Sequence, residues 1–197
     1  MNFKKIASCF DVDGALSEID EHDSLWREIT LRQDHPGSSH YDTECIYLRW
    51  CRDFTVESVF NDLVPFHMPA SVKLKKCNEL ICQVHDIIGG DLGRSIVTKL
   101  KPGGTISPHK DEGLYAGHYT RFHLPLKTDN LNTMYCENGD ETGEHCIMGR
   151  GDLWWFDHKK THYVVNSGSQ PRIHLIIDIH LKANEIKDLL DVDAMRV

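Results

Sequence analysis

His109-Lys110-Asp111, with His162 and then Arg172 further along the chain, are the residues whose types and spacing carry chemistry. Two imidazoles and one carboxylate can occupy one face of an octahedral ferrous ion and leave three positions open for a co-substrate and dioxygen. An arginine beyond the second histidine offers a planar donor fork to a carboxylate. The set points to oxygenase chemistry. His-x-Asp alone is short and common by chance. The reading rests on its combination with His162, Arg172, Pro102-Gly103-Gly104 and Trp154-Trp155-Phe156.

The elements that must bring these residues together are mostly strands. From Ser95 onward the chain reads as short β runs: Ser95–Lys101, Tyr119–Leu126, Thr133–Cys136, His145–Met148, Leu153–Phe156, His162–Asn166 and Arg172–His180. Turn-forming stretches separate them: Lys101–Gly104, Glu137–Asp140, Gly149–Asp152 and Ser167–Pro171. Such punctuation suggests a jelly roll or sandwich. Alternation puts Tyr119, Arg121 and His123 on one face of their strand and Phe122, Leu124 and Leu126 on the other. Arg172, His174, Ile176 and Asp178 share a face opposite Ile173, Leu175, Ile177 and Ile179. Buried charge needs partners, and a dicarboxylate and a metal would supply them.

Before Ser95 the pattern is mixed. Asp13 is positioned to cap a helix over Ala15–Glu21, followed by a polar stretch ending near Ser39; Thr43–Trp50 reads as a strand. Ser71 opens the clearest helix, with Leu74, Cys77, Leu80, Ile81, Val84, Ile87 and Ile88 on one face and Gly89-Gly90 as its stop. A short helix follows over Ala183–Leu190.

With 197 residues, 40% hydrophobic and 26% charged, the chain is expected to form one domain. Residues 1–94 would pack on a core of residues 95–180, and 181–197 form a tail. The net charge of −8 lacks the basic balance of a nucleic-acid binder. No apolar run reaches membrane-span length, and the first residues lack a leader's apolar core. Seven cysteines without a Cys-x-x-Cys pair read as reduced thiols in a cytoplasmic protein. Oligomeric state is not legible.

Five stretches together resemble the aspartyl/asparaginyl β-hydroxylase family: Leu100–Gly104 with Pro108–Asp111, Arg121–Leu126, Gly151–Asp157, His162 with Asn166, and Arg172–Asp178. Bacterial proline hydroxylases of that superfamily are similar as well. The resemblance covers residues 95–180, with a looser match at His40–Thr43, Ile46 and Leu48-Arg49. It implies a mainly β, double-stranded β-helix fold (a jelly roll of the cupin kind) with flanking N-terminal helices. It also implies an oxygenase that uses Fe(II), 2-oxoglutarate and dioxygen, releasing succinate and CO2 as it hydroxylates a C–H bond of a small-molecule or peptide substrate. His109, Asp111 and His162 would bind iron. Arg172, helped by Thr98, would pair with the far carboxylate of 2-oxoglutarate, and Arg121 and His123 would sit near the carboxylate that chelates the metal. Two positions depart from the animal enzymes, which have glycine at Asp111 and arginine at Tyr119, so peptidyl aspartate is not the expected substrate.

Bland readings stand beside these. His123 also fits a satisfied core histidine, and His174 fits either the ligand side or a hydrogen bond within the barrel. His158 reads as a solvated loop residue, Trp154–Phe156 as barrel wall, and Met134 and Met148 as packing. Lys73, Lys75 and Lys76 form the wet face of their helix. Tyr41, Arg49 and Arg94 read as surface salt bridges rather than substrate contacts. Phe10–Leu16 resembles the first motif of haloacid-dehalogenase-type phosphatases, with Asp11 as nucleophile and Asp13 as acid, but Ala15 replaces the usual threonine and lysines and a serine interrupt Lys4–Phe10. A metal-holding jelly-roll sensor without turnover is the other alternative.

Overall fold

Alternating side chains dictate the architecture, because each central strand sends branched aliphatics one way and polar groups the other. The computed structural model describes residues 1–139, 142–193 and 195–197. In chain order these form β1 (Phe3–Ser8), α1 (Asp13–Glu21), a 3₁₀ turn (Asp23–Arg27), α2 (Leu31–Asp34), β2 (Thr43–Trp50), α3 (Val56–Asn61), β3 (Phe66–His67), α4 (Ala70–Lys73), α5 (Lys75–Ile88), β4 (Asp91–Leu100), β5 (Thr105–His109), α6 (Gly113–His118), β6 (Thr120–Lys127), β7 (Asn132–Glu137), β8 (Gly143–Cys146), β9 (Leu153–Phe156), β10 (His162–Asn166), β11 (Arg172–His180), α7 (Ala183–Asp191) and β12 (Met195–Arg196).

Two sheets face each other as a jelly roll. The larger has eight strands in the order β12-β1-β9-β6-β11-β4-β2-β3, and the smaller has four, β5-β10-β7-β8. On the outer face of the larger sheet, Ile173, Leu175, Ile177 and Ile179 of β11 and Phe122, Leu124 and Leu126 of β6 join one buried cluster with Ala15 and Ile19 of α1 and Cys77, Leu80, Ile81 and Val84 of α5. Burying each Leu or Ile contributes roughly 1.5–3 kcal/mol. Between the sheets lie two smaller clusters, one around Leu100, Met134, Phe156 and Val164 and one around Cys45, Tyr47, Trp50 and Ile176. The polar inner face of β6 and β11 occupies the gap between them.

Most expected strands are present, and three runs (Leu153–Phe156, His162–Asn166 and Arg172–His180) have the expected limits. The helix expected from Ser71 is split at Leu74, a fully buried residue whose ψ of 69° is not helical. Gly89 does end α5, with φ +74°. Asp13 does not cap α1; it lies in the first turn, and the Asp11 carboxylate accepts its backbone N–H at 3.2 Å. The lysines do not interrupt β1, which pairs antiparallel with β9. Lys5 reaches outward to Asp152 at 3.5 Å and keeps its stem along the sheet. Of the turn expected at Glu137–Asp140, Asp140 lies outside the described residues. No helix of the described residues is long and apolar enough to cross a membrane.

Candidate metal centre and its two cavities

His109 ends β5 and His162 begins β10, and antiparallel pairing sets the two opposite each other. Their ring centroids are 4.3 Å apart. Asp111 follows two residues after His109 in the turn before α6, and its backbone N–H donates to the His158 carbonyl at 3.2 Å. One ligand atom from each of His109, Asp111 and His162 lies within 4.8 Å of the others. Donors about 2.0–2.2 Å from one ion stand roughly 3–4 Å apart, so a small contraction closes the set.

The tautomers are fixed from behind. Nδ1 of His109 donates to the Ser107 carbonyl at 2.8 Å, and Nδ1 of His162 donates to the Lys160 carbonyl at 2.9 Å. A carbonyl only accepts, so both protons sit on Nδ1 and both Nε2 lone pairs point forward. That is the usual outer-shell support of a metal-binding histidine. Burial lowers the His162 pKa to about 4, against the opposing pull of Asp111. Burial also works to raise the Asp111 carboxyl, but Arg121 and the neighbouring histidines outweigh it and hold the group well below the usual carboxylate range. His162 and Asp111 are thus in the protonation states a divalent metal needs.

Arg121, on β6, stands opposite Asp178 of β11. Its guanidinium grips that carboxylate through two nitrogens at 2.8 and 3.0 Å and also bonds Asp111. Tyr115 donates its hydroxyl to Asp178 at 3.2 Å. A planar fork between two carboxylates both orients Asp111 and keeps it ionised.

Behind the triad lies a tight inner cavity of about 30 Å³, lined by Thr43, Thr98, His123, Phe156 and Arg172 among others. Arg172 is 4% exposed and, among the described residues, has no hydrogen bond or ion pair. Burial pushes its pKa down to about 9. Thr43 Oγ1 and His123 Nε2 are likewise buried without partners. Unpaired buried polar groups cost roughly 1–3 kcal/mol each, so this cavity is built for an anionic, hydrogen-bonding occupant. The open space is about one water's share. A larger guest must displace the wall, where Arg32, Met134 and Arg172 are long side chains not held by an ion pair among the described residues.

In front lies an outer cavity of about 310 Å³. Its walls are α2 and the segment after it, α3 and α6, and its floor is His109, Asp111 and Arg121. Arg32 and His40 line both cavities. Gly113, at φ +95°, lets α6 start two residues beyond Asp111; a Cβ there would meet the Phe60 carbonyl of α3 at 2.7 Å.

A family model described as aspartyl/asparaginyl β-hydroxylase matches residues 13–181. The chain belongs to the aspartyl/asparaginyl β-hydroxylase family. An L-proline cis-4-hydroxylase from Rhizobium meliloti (strain 1021) is 30% identical over 115 residues, 58% of this chain and 39% of that protein. The match thus spans about two fifths of that relative's length. Among solved structures, a 2OG-Fe(II) oxygenase family oxidoreductase from Burkholderia pseudomallei superposes with a TM-score of 0.54 at 11% identity, covering 90% of this chain and 95% of that one. A Pseudomonas putida prolyl-4-hydroxylase gives 0.51 at 12%, covering 92% and 94%. At such identities the likeness is one of fold.

Within this aspartyl/asparaginyl β-hydroxylase fold, Thr98, Arg121, His123 and Arg172 all line the inner cavity. Thr98 donates its hydroxyl to the His174 carbonyl at 3.4 Å. His174 stands one layer back, Nδ1 to Nδ1 with His123 at 3.3 Å, and lines neither cavity. His158 is not solvated. It is 4% exposed and its Nε2 meets the Ala116 carbonyl at 3.1 Å, because α6 folds over the loop that carries it. Arg94 forms no surface salt bridge; it is buried and donates to the carbonyls of Ser58, Val59 and Asp62. Arg49 donates to Gly93 and Leu92 carbonyls, and the exposed Tyr41 accepts from Gly37 N–H. Phe156 is more than wall, since it packs edge-on against both His123 and His162. Asp13 pairs with Arg150 on the surface and Asp11 is exposed, so the phosphatase dyad has no site. Thr43 and His40 were named only within the looser family match and given no role, and Arg32 was not singled out from the sequence. Parity along β2 was the available signal for Thr43; the other two stand on a loop and a one-turn helix without a periodic cue.

Proposed function

We propose that the chain is an Fe(II)- and 2-oxoglutarate-dependent dioxygenase that hydroxylates an amino acid, a peptide side chain or a related small polar molecule. The single observation that carries this is a His-Asp-His set, tautomers fixed, in front of a buried guanidinium with no partner. The donor set fits Fe(II), and the unpaired groups behind it fit a dicarboxylate. His109, Asp111 and His162 would hold the ion. Arg172, with Thr98 alongside, would bind the far carboxylate of 2-oxoglutarate. With His174 donating from Nδ1, His123 keeps its own proton on Nε2 and presents it to the near carboxylate; Thr43 offers a hydroxyl beside it. Arg121 keeps Asp111 charged throughout. When bound, iron and dioxygen supply the oxidising power that splits 2-oxoglutarate to succinate and CO2 and inserts oxygen into a C–H bond. The protein contributes position and shielding from water. We read residues 1–197 as one unit in which residues 1–94 supply the outer cavity's wall, and we place it in the cytoplasm.

The test is an anaerobic titration of metal-free protein with Fe(II) and 2-oxoglutarate. A weak visible charge-transfer band is expected in the wild type and not in Asp111→Ala. No band in the wild type, or the same band in both, rejects the reading.

A further inference from the structure

We propose that Arg32 anchors a carboxylate of the prime substrate, which makes that substrate a small free acid with an apolar body. The inference rests on the dioxygenase reading above. Four cations line the outer cavity: Arg32, Arg94, Lys110 and Arg121. Arg121 is neutralised by Asp178 and Asp111. Arg94 is spent on three carbonyls and lies between the rings of Trp50 and Tyr115, at 4.6 and 3.7 Å. Lys110 is exposed to solvent. Arg32 alone is half-buried and, among the described residues, has no carboxylate partner. Its side-chain neighbours are the Cys45 thiol and the Tyr47 phenol, both buried and both pushed upward in pKa by burial, so neither supplies a counter-charge.

Charge accounting leads to the same place. With iron and the 2-oxoglutarate dianion bound, their charges together with those of Asp111 and Arg172 cancel. Arg121 cancels Asp178. Arg94 has no counter-charge either among the described residues, but its donors are taken by carbonyls, and Lys110 and Glu112 are exposed. Arg32 is left over, at the junction of the two cavities, which His109 and Asp111 also line. A half-buried cation without a carboxylate partner bears part of the cost of a buried charge, and a substrate carboxylate removes that cost. The Trp50 indole N–H and His40 Nδ1, buried and unpartnered, line the same space and offer further polar contacts. Val59, Phe60 and Ala116 supply an apolar part of the wall, while Ser38, Ser39 and the exposed Glu112 line the cavity as well. About 310 Å³ is at the small end of ligand sites. It has room for a molecule of amino-acid size.

The experiment measures binding rather than turnover. Free L-amino acids with apolar side chains, L-proline included, and the carboxamide of each are titrated by saturation-transfer NMR onto the anaerobic Fe(II)/2-oxoglutarate complex of wild type, Arg32→Gln and Arg32→Lys. At least one free acid is expected to bind, with its carboxamide about ten- to a hundredfold weaker, as loss of a charge-assisted pair predicts. Arg32→Gln should erase the acid-over-amide preference and Arg32→Lys should restore part of it. Equal binding of acid and amide in the wild type, no binding by any free acid, or an unchanged preference in Arg32→Gln overturns the proposal. If Arg32→Gln does not fold, the acid-over-amide comparison in the wild type decides alone. Absence of the 2-oxoglutarate band in the same wild-type sample would indict the dioxygenase reading instead.

Discussion

The inner and outer cavities meet at Asp111 yet are built by different means. The inner one is walled by strands β4, β6, β10 and β11, so its side chains are set by register: Thr98 faces His174, and Arg121 faces Asp178. The outer one is walled by one- and two-turn helices, α2, α3 and α6, whose positions depend on single side-chain staples such as Arg94. Chemistry sits where the backbone dictates position; choice of substrate sits where a few residues decide it. Loop-borne specificity on a rigid scaffold is a common arrangement.

Substitutions can break that division or sharpen it. The largest effect belongs to the junction: His162→Ala should abolish Fe(II) binding and with it substrate-dependent succinate formation, both measured directly. Next is acid sensitivity of the metal-free protein. The His162 pKa is about 4 when folded against 6.5 ordinarily, so the unfolded chain binds more protons in between. Stability should therefore fall as pH drops from about 6.5 to about 4, by on the order of 3 kcal/mol from this group. Burial also lowers His123 and His174, which act in the same sense. Urea unfolding across that range checks the sign. Arg172→Ala should weaken 2-oxoglutarate by about ten- to a hundredfold, from a charge-assisted bond worth roughly 1.5–3 kcal/mol, with Fe(II) affinity little changed. Equal loss of both would merge the two cavities. The smallest effect is expected for Arg94→Met, which orphans carbonyls at the end of α3. It should cost roughly 1–3 kcal/mol of stability and weaken the prime substrate, while the 2-oxoglutarate affinity stays put.

Legibility in the sequence follows the same line. The strands of residues 95–180 and the inward faces of β6 and β11 were readable because a period of two leaves no freedom: once Leu124 faces the helices, His123 must face the opposite sheet. The candidate metal ligands were readable because two imidazoles and a carboxylate are a rare donor set beside a downstream arginine. Arg32 and His40 escaped because they sit on a single helical turn and a loop, where no period exists to say which way a side chain faces. His158 was misread because its burial comes from α6, a helix of six residues whose docking depends on tertiary packing. The double use of Arg121 was invisible for the same reason: Asp111 is ten positions away in sequence but reaches the guanidinium only after the turn beyond β5 folds back.

The salt link from Arg121 to Asp111, with the Nδ1 protons parked on Ser107 and Lys160 carbonyls, has a consequence for how the triad would take up a divalent metal. Near neutrality Asp111 is already anionic and His162 already neutral, so neither has a proton to give up when the ion arrives. Neither ligand should then add proton release to the heat of Fe(II) binding, so any dependence of that heat on the buffer's ionisation enthalpy would come from other groups.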